Sequence, residues 1–156
     1  MSSLPSSSAG GSEALEQFLQ HCIFPSVLFS PGEALYCAKF VEVVHELGTP
    51  GFDTLAYLRQ VVTLLSQMVF CCTQNEAARL GIFLKETLRM LNSWASSEAH
   101  PPHMTRDDLA EVTRALNEQL VKALTASLRS AEYMEVRNAL RVLTKIVKHF
   151  PSTLDP

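Results

Sequence analysis

The residues best placed to act on another molecule are four cations near the end of the chain. Arg137, Arg141, Lys145 and Lys148 recur at helical steps, so a helix through them carries one positive edge. Such an edge can lie along a phosphate backbone, meet the acidic face of a partner protein, or simply be solvated. The chain as a whole holds Lys+Arg 13 against Asp+Glu 16, a formal net charge of −3. Nucleic-acid-binding domains are usually basic, which ranks RNA behind a protein partner. These four residues are the candidate interface of the sequence.

The other residues capable of chemistry lack a setting for it. A metal at His45 needs partners within reach; Cys37 falls on a nearby face but no second pair accompanies it, so a partly buried, hydrogen-bonded histidine is expected. His100 and His103 flank Pro101 and Pro102 and read as a solvated linker. Asp107 and Asp108 fall in the opening turn of a helix, where negative charge offsets the helix dipole. No Gly-rich phosphate cradle is present, and Ser30, Thr54 and Ser93 have no nucleophile setting such as Gly-x-Ser-x-Gly. Cys22, Cys37, Cys71 and Cys72 contain no Cys-x-x-Cys pair and read as free, buried thiols. The expectation is no enzyme, no catalytic residues, no metal, no cofactor and no small-molecule substrate.

The elements that must position these residues are helical. A chain of 156 residues, 47% hydrophobic and 19% charged, can bury one globular core. Residues 1–11 are Ser- and Gly-rich and read as a flexible arm. Residues 12–151 read as a single helical domain with a linker near 98–105, and 152–156 as a tail. The start has no secretory pattern, and the apolar run over 61–72 is shorter than the ~20 residues of a membrane helix. A soluble, intracellular chain with no membrane contact follows as the expectation.

Hydrophobic periodicity predicts about six helices. The first starts at Ser12, carries Leu15, Phe18, Leu19 and Cys22, and should end at Pro25. Ser30-Pro31-Gly32-Glu33 is a capping box opening the second, whose apolar face is Tyr36, Phe40, Val43, Val44 and Leu47. Gly48 and Pro50 close it. Asp53 caps a third with Leu55, Leu58, Val62, Leu65 and Val69. Thr73 to Glu76 is a capping box for a long fourth, striped by Ala77, Leu80, Leu84, Leu88, Leu91 and Ala95. Thr105 opens a fifth through Leu109, Val112, Leu116, Leu120, Ala123 and Ser127, with surface pairs Glu111/Arg114 and Glu118/Lys122. The sixth aligns Tyr133, Val136, Leu140, Leu143 and Val147 opposite the cations, placing Leu140 and Leu143 in the core, and Pro151 ends it. Phe83, Trp94 and Tyr133 read as core aromatics. The fold class is all-α: antiparallel helical hairpins, either an α-solenoid-like stack or a bundle.

Several strings in order resemble the large scaffold subunit family of the THO complex. They are Cys22-Ile23-Phe24-Pro25, then Ala34-Leu35-Tyr36-Cys37-Ala38-Lys39-Phe40-Val41-Glu42, Val44-His45, Thr49-Pro50 with Phe52, and Cys72-Thr73 with Asn75-Glu76-Ala77. Glu132-Tyr133, Val136-Arg137-Asn138 and Leu143-Thr144-Lys145-Ile146 follow. The family subunit is many times longer, so the match corresponds to one block of it. The resemblance implies a non-enzymatic helical scaffold, nuclear, acting in mRNP assembly and mRNA export, with other THO complex subunits as partners. It also implies that direct RNA contact belongs largely to a basic C-terminal tail unlike these residues. A direct RNA-binding module using the Arg137–Lys148 edge is the competing expectation.

Overall fold

Side-chain caps set the starts of the long helices. The computed structural model describes residues 8–71, 73–97 and 104–151. Helix α3 (Pro31–Glu46) begins where Ser30 accepts from the Glu33 amide at 3.1 Å, and α4 (Thr54–Cys71) where Asp53 accepts from the Ala56 amide at 3.1 Å. Full reciprocal capping boxes open α5 (Gln74–Ser96) at Thr73 and Glu76, and α6 (Arg106–Leu128) at Thr105 and Asp108. Helix α7 (Tyr133–Ile146) follows a short turn. Gly48, with φ at 60°, takes the left-handed conformation that ends α3. All described elements are helices, which bears out the all-α class.

The start of the chain departs from expectation at Pro25. Helix α1 (Ser8–Phe18) begins within the segment read as an arm, and it continues instead of stopping. A π-helical turn over Leu19–Ile23 leads directly into α2 (Phe24–Phe29). The Phe24 amide donates to the Leu19 carbonyl, five residues back. The hydrogen-bond register thus changes where Pro25 has no N–H to offer, so the proline costs the helix little. The break comes at Ser30, which is extended with ψ at 161°.

The helices form two layers. Helix α5 packs mainly between α3 and α7, and α4 packs against α6. Contacts onto α5 span comparable sequence offsets, up to the 57 residues between Asn92 and the His149 carbonyl. Arg79 donates to the Leu28 carbonyl across 51 residues, and Arg89 meets Glu42 across 47. In the second layer Arg59 meets Glu111 across 52 residues. Helices thus pair chiefly with the next but one, as in a stack of helix pairs. A single core runs between the layers, with Leu58, Leu65, Leu80, Leu84, Leu88, Leu116 and Leu120 fully buried. The stripes expected on α5 and α6 are the buried ones, apart from half-buried Ala95.

Two helices turn a different face inward from the one their sequences advertise. Helix α3 buries Ala34, Cys37, Ala38, Val41 and His45, while Tyr36, Phe40, Val43 and Leu47 face out. Helix α7 buries Asn138, Ala139, Val142 and Ile146, while Tyr133, Leu140 and Val147 are exposed and Leu143 is half-buried. The reason is closeness. A Cβ placed on Gly81 of α5 would lie 2.9 Å from Cβ and Cγ of Lys145 and 3.4 Å from Cα of Val142. Small residues let helix axes approach, and the interaxial distance follows the side chains at the contact. The slim face of α7 therefore wins the contact with α5 and its bulky stripe stays outside, while α3 buries its own small side chains partly against the π-turn, where Cys37 donates to the Ile23 carbonyl at 3.9 Å. The core placement expected for Leu140 and Tyr133 is corrected accordingly.

Candidate functional site

Helix α7 carries three bands. At about 100° per residue, the core band of Val142, Ile146 and Ala139 is followed around the helix by Leu143, Val136, Val147, Leu140 and Tyr133. Next come Thr144, Arg137, Lys148, Arg141 and Lys145. The apolar residues span an arc of roughly 180°, and the described chain covers less than half of it. Tyr133 is 75% exposed, Val147 60% and Leu140 50%. A shallow depression of about 240 Å³ runs along this band, lined by Tyr133, Val136, Arg137, Leu140, Arg141 and Thr144.

The four candidate cations lie on one side of α7 but not in one environment. Arg137 and Arg141 edge the depression. The Arg137 guanidinium carbon sits 6.0 Å from the centre of the Tyr133 ring, within cation–π range. Its Nε is buried and finds no hydrogen-bond partner among the described residues. Lys145 leans its stem on α5 at Gly81, which assigns part of that side chain to packing. Lys148 is exposed beyond the last turn. The ion pairs of the described residues all lie elsewhere.

The remaining candidates resolve into structure. His45 is buried, shares a hydrogen bond with Thr54 and lies 4.5 Å from the Trp94 ring. That is the partly buried histidine expected. It borders a cleft of about 360 Å³ with Thr49, Asp53, Thr54 and Met104. No group of three or more His, Cys, Asp or Glu converges among the described residues. Cys37 is buried, and burial with the nearby Glu33 carboxylate raises its thiol above the ordinary value. Cys22 is exposed, against expectation, because it falls on the outer side of the π-turn. His100, His103 and Cys72 lie outside the described residues. No described helix is long and apolar enough to cross a membrane.

One charged cluster escaped the sequence reading. Lys39 meets Glu42 at 3.1 Å and Glu86 at 3.7 Å, while Arg89 meets Glu86 at 2.8 Å and Glu42 at 3.0 Å. The four alternate in sign across the α3–α5 seam. Burial pushes the Glu86 carboxyl up, but the Arg89 hydrogen bond and the charges of Arg89, Lys39 and Lys85 outweigh it, leaving its pKa below the ordinary value. The Glu86 hydrogen bond likewise raises Arg89. The steps of three from Lys39 to Glu42 and from Glu86 to Arg89 were the visible signal, but only the fold joins the two pairs. Glu111, expected to pair with Arg114, instead meets Arg59 at 3.5 Å.

The described residues thus form a two-layer helical stack with bulky apolar stripes facing outward. Comparison with known proteins places it more narrowly. The family model described as Tho2, "Transcription factor/nuclear export subunit protein 2", matches residues 2–105 and 100–155, and the chain belongs to that family. It is 38% identical over 157 residues to THO complex subunit 2 of Arabidopsis thaliana, across 88% of this chain and 9% of that protein. It is 34% identical to THO complex subunit 2 of Homo sapiens, across 92% of this chain and 10% of that protein. The Saccharomyces cerevisiae protein of the same name is 28% identical, across 90% of this chain and 8% of that protein. The chain thus spans about a tenth of the length of the relatives it matches.

Proposed function

We propose that this chain is a non-enzymatic scaffold block of a THO-type complex, acting in the nucleus in mRNP assembly and in mRNA export coupled to transcription. Residues 12–151 would work as one rigid unit. Membership of the Tho2 family carries the reading, and relatives named THO complex subunit 2 supply the assembly. The architecture supports it: layered helices hold their outward stripes at fixed spacing, which suits association by burial of apolar surface at about 25 cal/mol per Å². The net charge of −3 favours protein partners over RNA. Arg137, Arg141, Lys145 and Lys148 are its candidate contact edge.

The test is co-purification of the tagged 156-residue chain with THO subunits from nuclear extract, alongside a filter-binding titration on unstructured RNA. Retained THO subunits and a flat RNA curve are expected. Sub-micromolar RNA binding with a steep salt slope, lost on Arg137→Glu with Lys145→Glu, would transfer the function to RNA binding.

A further inference from the structure

The outer band of α7 has the spacing of a helix-docking seam. Tyr133, Val136, Leu140, Leu143 and Val147 follow steps of three, four, three and four. Apolar residues recurring every three and four mark the contact line of two helices packed side by side. In most chains that line is already filled from within. Here it is not, because α7 spends its slim face on α5 and leaves Tyr133, Leu140 and Val147 in solvent. Helix α7 is also an outer member of the α3–α5–α7 layer, so a further helix laid on this band would extend a layer already built from helices.

Charge says what kind of helix. The depression is edged by Arg137 and Arg141, and no carboxylate lines it. Neither arginine belongs to an ion pair of the described residues. The Arg137 Nε, buried without an acceptor, is a donor whose partner is absent from the described residues. A buried donor left unsatisfied is costly; the guanidinium that carries it edges the groove, and a carboxylate arriving there would pair with its charge.

We propose that this groove is occupied by an amphipathic helix of a partner protein. Its apolar seam would seat on Tyr133, Leu140 and Val147, and glutamates or aspartates along one flank would meet Arg137 and Arg141. The proposal rests on the scaffold reading only in taking the occupant to be protein.

The experiment uses the full chain and two synthetic helical peptides of about three heptads. Both carry leucine at the seam positions; one is flanked by glutamate and the other by lysine. Fluorescence anisotropy is expected to show the glutamate peptide binding at least about tenfold tighter than the lysine peptide. Arg137→Glu with Arg141→Glu should reverse that preference. Leu140→Asp, whose exposed site leaves the fold intact by circular dichroism, should weaken the glutamate peptide about tenfold or more.

Equal affinity for both peptides, or no saturable binding of either, overturns the proposal. So does an oligouridine bound through the arginine pair but indifferent to Leu140→Asp, which makes the edge a nucleic-acid contact. A dimer in sedimentation that dissolves on Leu140→Asp overturns it in favour of a second copy of this chain. The scaffold reading fails separately. If the peptide preferences fail while the wild-type chain retains THO subunits, the groove proposal falls and the scaffold stands. If the wild-type chain binds the glutamate peptide yet retains no THO subunit, the reverse holds.

Discussion

Adding one methyl group at Gly81 sets two effects against each other. In the interior of an exposed helix, alanine for glycine is favourable by about 1 kcal/mol. At Gly81 the new Cβ would stand 2.9 Å from Cβ and Cγ of Lys145, where carbon atoms settle at about 3.5–4.0 Å. Neither atom is the free end of a side chain, since Lys145 Cβ is fixed to the α7 backbone. Relief requires α7 to move outward by roughly 0.6–1 Å, and overpacking of this kind costs about 1–3 kcal/mol. The net result for Gly81→Ala is a loss of up to about 2 kcal/mol. Gly32→Ala is the control, since its nearest neighbour is Ser30 Oγ at 3.9 Å and only propensity acts there. Urea melts followed by far-ultraviolet circular dichroism should place Gly81→Ala below wild type and Gly32→Ala at or above it. Lys145→Gly should cost less in the Gly81→Ala background than in wild type, a coupling that separate sites do not show. If Gly81→Ala is stabilised as much as Gly32→Ala, the close approach of α5 and α7 is wrong, and with it the explanation of which α7 face is buried.

Further outcomes follow from the same packing. Ile146→Ala, fully buried in α7, should cost about 2–5 kcal/mol, whereas half-exposed Leu140→Ala should cost well under half of that in the same urea melt. Thr73→Ala and Thr105→Ala each remove the side-chain half of a reciprocal capping box, and each should cost about 1 kcal/mol in urea midpoint. Glu86 has a folded pKa below its ordinary value of 4.5, so its contribution is fully present above that value and is lost as pH falls toward the folded one. The stability gap between wild type and Glu86→Gln should therefore be constant near neutrality and close in melts below about pH 4.5; a gap that persists in acid would contradict the network.

Local signals carried most of the helix map. Thr73 with Glu76, Thr105 with Asp108 and Ser30 all cap where their spacing implied. The leucine stripes of α5 and α6 are buried because those helices have neighbours on their widest apolar side. What periodicity cannot supply is a competition between two usable faces. In α3 and α7 the larger side chains gave the stronger stripe, but in α7 the contact with α5 selects for smallness, a property of the partner helix and of Gly81 in particular. Pro25 misled for a related reason: a proline is a stop only if the backbone lacks another way to absorb the missing donor, and the π-turn provides one. The cations of the candidate edge were legible as a row. That Arg137 and Arg141 border an apolar groove while Lys145 leans on α5 depends on the phase of α7, which the sequence pattern placed on the wrong side.

The offsets of 47 residues between α3 and α5 and of 52 between α4 and α6 have a consequence for the chain as it is made. Neither α3 nor α4 finds its main neighbour in the next element; each waits for the one after. At a synthesis rate of about 5–20 residues per second, α3 leaves the ribosome roughly 2–10 s before α5 can reach it. For those seconds Ala34, Cys37 and Val41 are as uncovered as the outward stripe of Tyr36 and Phe40, so the newborn helix shows two apolar faces, relieved only by the charged face of Lys39, Glu42 and Glu46. A cotranslational chaperone would meet this chain as a succession of such intervals, each closed when the next helix of the same layer arrives.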